Sequence, residues 1–358
     1  MKIGVIRFLD KYIGGFLCVF FSLFLRKKKI EGRTILAIQL WGVGESILTL
    51  PALKELEHVT VLVTERNKDI YVGHAKTIII DTTPLSIIGF IFSHYHEYDV
   101  VIDCEEYLNT SAIIAFFVAK SSIGYSHGIR SRLYTQTVPY DDKQYVAQTF
   151  MDLLKPLGVH QKVTHLVALN YSIEDKEKVD SFLRKHQLKK NDFLVGIAVG
   201  VAESAKSRMW PVERFAELAD HLARQRKAKI LFIGAPHEKE LHDSVRSRMN
   251  NDSLNTCGFF SLPQLFYLVK CCSLIIGNDS GIMHIGEAMG TKTVGLFGPN
   301  LPVRFGPLHG TSIYKGHICE YSPCINVHKG EIPDCYYTGK EYQKCMKHIS
   351  VDDVYSKI

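Results

Sequence analysis

Short β-rich runs alternate with longer helical stretches along most of this chain, and the alternation occurs in two successive blocks. The first block contains candidate strands at residues 35–40, 59–64, 77–80 and 98–103, and the second at residues 193–199, 229–233, 273–276 and 293–297. A polar stretch, residues 172–192, separates the blocks and carries a predicted charged helix at 174–190. Strands that alternate with helices form parallel sheets covered by helices. The sequence therefore predicts an α/β protein with two doubly wound domains.

The size of the chain agrees with two domains, because 358 residues with 46% hydrophobic and 22% charged residues exceed one small module. We expect a membrane-associating segment in residues 1–33, an N-terminal domain in 34–170 and a C-terminal domain with a cysteine-containing tail in 171–358. Ligands of open α/β sheets bind outside the carboxyl ends of the strands, so we expect the substrate in a cleft between two facing domains. The net charge of +6 favours an acidic substrate or an anionic membrane surface. No nucleic-acid-binding motif is present in the sequence, so nucleic acid is not an expected partner.

The strongest local signal is the run from residue 277 to residue 299. A buried strand is followed by a glycine turn and then by a helix over residues 282–289. A helix that begins at the carboxyl end of a strand offers free N–H groups and the positive end of its dipole to an anion. The residues expected to contribute are Asp279, Ser280, Gly281 and His284. The alternative is that Asp279 or Ser280 only caps the helix and that His284 packs in the core.

A second motif, residues 39–53, combines a strand, a glycine turn and the start of a helix. A dinucleotide-binding loop is one interpretation, but that loop needs glycine or alanine where this chain has Ile47, which makes the signal for NAD weak. A third motif, residues 206–218, places Lys206 and Arg208 in the loop after a strand, where either cation would bind phosphate. Further along, Glu238 opens a helix after a strand, and its carboxylate would accept both ribose hydroxyls.

These motifs resemble the glycosyltransferase family that contains the bacterial lipopolysaccharide heptosyltransferases, family 9. Its signature is an Asp-Ser/Thr-Gly-x-x-His block before a strand that ends in Phe/Tyr-Gly-Pro, as at residues 279–284 and 297–299. The resemblance implies the GT-B architecture, with two facing Rossmann-like domains. It further implies an inverting enzyme of a Gram-negative bacterium that needs no cofactor. The sequence offers no convincing Asp-x-Asp pair to hold a divalent cation, so we expect metal-independent catalysis. The expected donor is a nucleotide-sugar, ADP-heptose in the first place, and the expected acceptor is a lipid-linked saccharide of the lipopolysaccharide core.

Residue roles follow from the same resemblance. The aspartate that the family uses as general base corresponds here to Glu45, whose longer side chain shifts the carboxylate by about 1.5 Å. The family's phosphate-binding lysine before Trp-Pro corresponds to Arg208, with Lys206 close by, and its ribose-binding glutamate to Glu238. Glu45 would also be favourable simply as an acid in the first turn of its helix. Two other functions stay open, namely a nucleotide-sugar epimerase of similar fold and a non-catalytic nucleotide-sugar binding protein.

The first 33 residues contain an almost uninterrupted apolar run, 13–25, with Arg7 and Lys11 before it and the basic cluster 26–29 after it. The run is too short for a bilayer core, which needs about 20 apolar residues. We expect an interfacial helix on the inner face of the cytoplasmic membrane, peripheral to a cytoplasmic enzyme. The alternative is a helix that packs on the protein itself.

Four of the nine cysteines lie in a loop-rich tail, and they would serve as structural residues, pair as disulfides or bind zinc. The tail cysteines are Cys319, Cys324, Cys335 and Cys345. Related heptosyltransferases look similar there, so we interpret the tail as structural and expect no metal. We expect the N-terminal domain to recognise the acceptor. Arg130, Arg132 and Lys143 are its candidates for binding phosphates, but they do not exceed ordinary surface charge.

Overall fold

The computed structural model describes residues 8–25, 30 and 32–358. The predictions that rest on Arg7 and on the basic cluster 26–29 therefore lie outside the described residues. The chain divides into two compact units. Unit 1 comprises Met1–Thr164 with Val327–Gly330, and unit 2 comprises His165–Asn326 with Glu331–Ile358. The division falls near the predicted boundary at 170, with four tail residues assigned to unit 1.

Within its described residues, unit 1 forms a parallel six-stranded sheet in the order β3-β2-β1-β4-β5-β6. The strands are β1 (Ile35–Ile38), β2 (Val59–Val63), β3 (Lys76–Ile79), β4 (Tyr98–Asp103), β5 (Ala119–Tyr125) and β6 (Gln136–Val138). The helices are α1 (Gly15–Ser22), α2 (Val43–Leu53), α3 (Pro84–Ser93), α4 (Asn109–Val118) and α5 (Val146–Asp152). This strand order is that of the Rossmann fold, in which the chain direction across the sheet reverses between β1 and β4.

Unit 2 has the same arrangement. Within its described residues, six parallel strands form a sheet in the order β12-β11-β10-β7-β8-β9. The strands are β7 (Leu194–Ala198), β8 (Lys229–Phe232), β9 (Ser253–Asn255), β10 (Leu274–Asn278), β11 (Thr293–Phe297) and β12 (Thr311–Tyr314). The helices are α6 (Ile173–Lys185), α7 (Val212–Arg226), α8 (Lys239–Arg246), α9 (Leu262–Cys271), α10 (Gly281–Ala288), α11 (Pro302–Phe305), α12 (Lys344–Lys347) and α13 (Val351–Tyr355). The predicted α/β class with two doubly wound domains is confirmed.

The N-terminal helix α1, which continues a π-helical turn at Asp10–Gly14, is attached to unit 1 by one face. Cys18 is fully buried there, and Leu17 and Phe21 pack against the same core. The Asp10 carboxylate accepts the backbone N–H groups of Asn109 at 3.0 Å and Thr110 at 2.8 Å, and so caps the N-terminus of α4. The expected alternative, a helix packed on the protein, is thus found for one face, while the opposite face is exposed.

Candidate functional site

In unit 2 the candidate site lies where the direction of the chain reverses, between the neighbouring strands β7 and β10. The last residue of β10 makes two side-chain hydrogen bonds to the backbone of the segment that follows β7. The Asn278 side chain donates to the carbonyl of Val199 at 2.7 Å, and it accepts the backbone N–H of Trp210 at 3.0 Å. The Trp210 indole is fully buried and donates to the carbonyl of Ile349 at 2.9 Å. The Lys-x-Arg-x-Trp-Pro motif is therefore anchored by Trp210, which fixes the position of Arg208 two residues earlier.

Arg208 and Asp279 form an ion pair at the end of β10. The guanidinium Nη1 lies 3.4 Å from Asp279 Oδ2, and the Asp279 side chain is only 4% exposed. The same carboxylate oxygen accepts a hydrogen bond from the Asn300 side chain at 2.8 Å. Asp279 therefore holds Arg208 and Asn300 in place. A carboxylate with two donors already bound is better suited to orienting the guanidinium than to contacting an anion itself.

Three polar atoms around this pair are buried and have no hydrogen-bond partner among the described residues. They are Arg208 Nε, Ser280 Oγ and His284 Nδ1. Buried polar atoms are nearly always paired, so a cluster of unpaired ones indicates a missing ligand. Ser280 is the N-cap residue of α10, as the alternative expected, but its side chain makes no capping hydrogen bond. Arg208, Ser280, Gly281 and His284 therefore stand together where the positive end of α10 begins.

His284 is 3% exposed, and burial lowers the pKa of its imidazole to about 4. The Asp279 carboxylate opposes this shift, and the Arg208 guanidinium adds to it. The ring is thus neutral at physiological pH, with one nitrogen able to donate and the other able to accept. It can orient an anion through a hydrogen bond without supplying a charge.

Lys206 and Arg208 share one turn, Glu203–Arg208, but they are placed differently. The Lys206 side chain is exposed, and its backbone carbonyl accepts a hydrogen bond from the Gln343 side chain at 2.6 Å. Of the two predicted cations, Arg208 is the one that is part of the polar cluster. Lys206 stays a predicted phosphate ligand that would have to reach the anion from the solvent side.

Glu238 lies beside the carboxyl ends of β7 and β8. Its Oε2 accepts the backbone N–H of Ala235 at 2.7 Å, and its Oε1 lies so close to Gly200 that any Cβ there would overlap it. Burial raises the pKa of Glu238, while the Ala235 N–H opposes the shift. The carboxylate is therefore positioned by a hydrogen bond at its helix start and has room only because residue 200 is glycine. A ribose whose hydroxyls donate to it would fit this chemistry.

A residue that the sequence did not single out lies next to Glu238. His242 on α8 is fully buried, and neither ring nitrogen has a hydrogen-bond partner within the described chain. Burial lowers the pKa of His242 to about 4. A Cβ at Gly234 would lie 3.0 Å from His242 Nε2 and 3.1 Å from Cys257 Sγ. No motif marks a single histidine within an amphipathic helix, so only the structure could reveal its position.

In unit 1, Glu45 lies in the first turn of α2, directly after the turn that follows β1. The preceding Gly42 has a φ of 62°, a left-handed conformation that glycine adopts without strain. A Cβ on Gly42 would also overlap the Glu45 carboxylate, which is folded over the turn. Glu45 as a whole is half-buried. Glycine at position 42 is thus required both by the backbone and by the position of the acid.

A buried network of charged side chains holds the turn between β1 and α2 in place. Glu105 accepts the backbone N–H groups of Leu40 at 2.6 Å and Trp41 at 3.0 Å. Arg130 is only 1% exposed and pairs with Asp103 at 2.7 Å, and it also donates to the carbonyl of Glu105. The interpretation of Arg130 as surface charge is therefore wrong. Its partners lie at the end of β4, which a single sequence does not pair with residue 130.

The tail cysteines line one small cavity in unit 2, together with Pro299 and Ser207. All four thiols are free, and burial raises the pKa of Cys345 to about 12 and of Cys324 to about 11. In the part of the chain that is described, no group of three or more His, Cys, Asp or Glu side chains is arranged to hold a metal ion. The four thiols that the sequence grouped do lie near one another.

Sequence comparison relates the chain to heptosyltransferases. The family model described as glycosyltransferase family 9 (heptosyltransferase) matches residues 94–333. Lipopolysaccharide heptosyltransferase 2 of Salmonella typhimurium is 32% identical over 119 residues, which make up 32% of this chain and 34% of that protein. The lipopolysaccharide core heptosyltransferase OpsX of Haemophilus influenzae is 24% identical over 230 residues, 61% of this chain and 63% of that protein. These alignments thus span less than two thirds of either relative.

Solved structures show a similar fold along nearly the whole chain. A family 9 glycosyl transferase from Veillonella parvula DSM 2008 superimposes with a TM-score of 0.75 at 24% identity, over 92% of this chain and 97% of that one. The ADP-heptose lipopolysaccharide heptosyltransferase II of E. coli gives a TM-score of 0.68 at 18% identity, over 90% and 97%. The fold is thus of the GT-B type that the motifs implied. Because the family match covers most of the sequence, and the motif residues lie at the carboxyl ends of the strands, the chain belongs to glycosyltransferase family 9.

Proposed function

We propose that this protein transfers a heptose from ADP-heptose to a saccharide of the lipopolysaccharide core. The observation that carries the proposal is the cluster of unpaired buried atoms on Arg208, Ser280 and His284 at the start of α10. Such a cluster suits the diphosphate of a nucleotide-sugar, because a guanidinium, a hydroxyl and free backbone N–H groups all interact favourably with phosphate oxygens.

The choice of donor is supported by the relatives. One similar structure is that of the E. coli ADP-heptose lipopolysaccharide heptosyltransferase II, and the E. coli heptosyltransferase WaaC has been solved with ADP-2-deoxy-2-fluoro heptose. In the present chain, Glu238 would accept hydrogen bonds from the ribose hydroxyls, and Arg208 would bind the phosphates. Lys206 would add charge from the solvent side, and Gly281 would let the α10 backbone approach the diphosphate closely.

The proposed reaction is an in-line displacement with inversion at the anomeric carbon. Glu45 accepts the proton of the acceptor hydroxyl while the hydroxyl oxygen forms a bond to the anomeric carbon. The bond between that carbon and the phosphate oxygen breaks, and ADP leaves with the bonding electron pair. Arg208 and the N-terminus of α10 stabilise the charge that develops on the phosphate, so the proposal requires no metal ion.

The acceptor side of the proposal includes a membrane surface. None of the helices in the described part of the chain is long and apolar enough to cross a bilayer. The outer face of α1 nevertheless exposes large apolar side chains, among them Phe16 and Phe20, and the basic cluster 26–29 follows in the sequence. An apolar face with neighbouring cations is typical of helices that lie at the surface of anionic membranes. We propose that α1 holds the enzyme peripherally at the inner face of the cytoplasmic membrane, where a lipid-linked acceptor would be found.

The first test is binding of ADP, UDP, GDP and CMP, measured as the shift in melting temperature of the purified protein. ADP is expected to stabilise the wild type selectively. The variant Arg208→Gln should lose most of the shift, and Lys206→Gln should keep more of it because Lys206 lies outside the buried cluster. Selective stabilisation by UDP or GDP would contradict the ADP-heptose donor, and no response to any nucleotide would contradict the donor site itself.

Turnover is then tested with ADP-heptose and a core acceptor from a heptose-deficient strain, with release of ADP as the readout. The proposal expects ADP release that depends on the acceptor. Release of free sugar without acceptor, or conversion of the nucleotide-sugar to an isomer, would instead support a hydrolase or an epimerase.

A further inference from the structure

The helix α1 is apolar on both faces, although it is attached to unit 1 by only one of them. The outward side chains of α1 and of the two residues after it, Phe16, Phe20, Leu23 and Phe24, are between 47% (Phe20) and 77% (Leu23) exposed. They recur at spacings of three to four residues and so form one stripe along the helix. A soluble helix normally covers this stripe with charged residues. The exposed stripe therefore favours contact with another apolar surface.

A second helix of unit 1 has an exposed apolar stripe as well. On α3, Leu85 is 83% and Phe92 is 80% exposed, and Ile88 lies between them at half exposure. The spacing of these residues, three and then four, places them on one face of the helix. The opposite face carries the buried Phe90, which packs in the core of the unit. Like α1, α3 is thus fixed by one apolar face and presents another.

A cavity of about 470 Å³ is lined by residues at the end of the α1 segment, just after α3, and on α4 and β5. Phe24 just after α1, Tyr95 just after α3 and the α4 pair Phe116 and Phe117 form its apolar walls. Lys120, whose ammonium is paired with Asp99 at 2.9 Å, and hydroxyl groups of β5 and of the loop before β6 complete the lining. The volume falls within the range of about 300–1,000 Å³ that is usual for sites of small organic ligands. A cavity whose lining is largely aromatic suits an apolar chain.

We propose that α1 and α3 together form one lipid-contacting face of the protein, and that the aromatic cavity binds an acyl chain of an anionic phospholipid. Charge argues for a lipid rather than for a protein partner. Lys11 lies on the turn before α1, and the basic cluster 26–29 follows α1 in the sequence. The only acid of the N-terminal helical segment 8–25, Asp10, is turned inward to cap α4.

This inference deepens the membrane association in the proposed function and rests on that part alone. It involves neither Glu45 nor the residues of the donor site. Turnover with a soluble, delipidated acceptor is therefore a separate assay. Loss of lipid binding with intact turnover would contradict the lipid site only, whereas intact lipid binding without turnover would contradict the transferase only.

Binding to the membrane face is tested by flotation of the full chain with phosphatidylcholine vesicles, with and without phosphatidylglycerol. The variant Leu85→Ser/Phe92→Ser removes two exposed side chains and should lower the affinity for phosphatidylglycerol vesicles by about tenfold or more. Val72→Ser/Ile79→Ser is the matched control, since both residues are exposed apolar side chains of the same unit outside the two stripes. Equal binding by both variants would overturn the assignment of α3.

Occupation of the cavity is tested on the wild type, so no variant has to fold. Phosphatidylglycerol with a photoactivatable group at the end of one acyl chain is crosslinked to the protein in vesicles, and the labelled peptides are identified by mass spectrometry. Labels on Phe116, Phe117 or Tyr95 are expected. Labels confined to Phe16, Phe20 and Leu23 would overturn the acyl-chain site. A lipid-independent dimer that the Leu85→Ser/Phe92→Ser variant abolishes would also overturn the proposal and identify the face as a contact between two copies.

Discussion

The carboxylate of Glu105 accepts the backbone N–H of Trp41 at 3.0 Å. This hydrogen bond connects the segment after β4 to the turn that immediately precedes α2 and its Glu45. Glu105 is fully buried, and it accepts a second N–H from Leu40. Burial, with a smaller contribution from Asp103, raises the pKa of Glu105 to about 8, while the two N–H groups oppose the shift. The turn that positions the proposed general base therefore depends on a carboxyl group that is protonated over part of the physiological pH range.

The first prediction concerns the pH dependence of stability. An unfolded glutamate ionises near pH 4.3, whereas Glu105 in the folded protein ionises near pH 8. The unfolded state therefore binds fewer protons between these two values, and the free energy of unfolding falls as the pH rises through this window. In Glu105→Gln this contribution is absent. Between pH 5 and pH 8, the wild type should lose about 1 kcal/mol or more relative to the variant in urea unfolding.

Glu55→Gln, which changes an exposed acid of the same unit, is the control and should follow the wild type. Parallel pH profiles of wild type and Glu105→Gln would show that the Glu105 carboxyl is ionised at neutral pH, contrary to the prediction.

The second prediction concerns the space over Gly200. In Gly200→Ala the new methyl group would overlap the Glu238 carboxylate and displace it from the ends of β7 and β8. If Glu238 binds the ribose, the affinity for ADP should fall by about tenfold, because a hydrogen bond to a charged group contributes roughly 1.5–3 kcal/mol. Isothermal titration with ADP and with inorganic pyrophosphate separates the two halves of the nucleotide. Pyrophosphate should bind Gly200→Ala and the wild type equally, and an equal loss for both ligands would contradict a role limited to the ribose.

Much of the fold was predictable because the central strands of each sheet are continuous apolar runs. The four strands missed, β5, β6, β9 and β12, lack this signal. The buried strand β5 contains Lys120, Ser121 and Ser122, and the Ser122 backbone is satisfied in part by the hydroxyl of Thr135. The others are three or four residues long and are paired on one side only. Burial and pairing with neighbours, which no local pattern encodes, make these segments strands.

The site was predictable only as far as its residues are adjacent in sequence. Ser280, Gly281 and His284 lie within one turn, so a motif identifies them together. Asn300, which donates to Asp279, comes from the loop after β11, and a single sequence does not show that contact. Arg130 was misinterpreted for the same reason, since its partner Asp103 ends a strand 27 residues earlier. Contacts between strand ends that are distant in sequence become visible only in the folded structure. The fold brings Asp279 next to Arg208 and so explains why Asp279 supports it.

The third prediction concerns the proposed base. Glu45→Gln keeps the size of the side chain but cannot accept a proton, so kcat should fall by about 10²–10⁴-fold. The melting-temperature shift with ADP should be unchanged, because the donor residues are in the other unit. The variant Glu45→Asp tests whether the active site is adapted to glutamate or is weakened by it. A lower kcat would show that the active site is adapted to glutamate, whereas a strong gain would indicate that glutamate has weakened the enzyme.

Unchanged turnover in Glu45→Gln would contradict a role in proton transfer and leave Glu45 as an acid in the first turn of α2. In that case the variant should differ from the wild type only in stability, by about 0.3–1 kcal/mol.

The fourth prediction concerns the attachment of α1. Asp10 accepts the N–H groups of Asn109 and Thr110 and the hydroxyl of Thr110 at 2.6 Å, so three donors at the start of α4 depend on one carboxylate. Asp10→Ala leaves these donors without their partner and should lower the free energy of unfolding by about 1–2 kcal/mol. It should also loosen α1, so limited proteolysis within residues 8–25 should become faster. Asp10→Asn keeps an acceptor oxygen, so its free energy of unfolding and its proteolysis rate should lie between those of the wild type and of Asp10→Ala. Faster proteolysis without loss of global stability would show that α1 opens by itself, and no change in either measurement would contradict the capping role of Asp10.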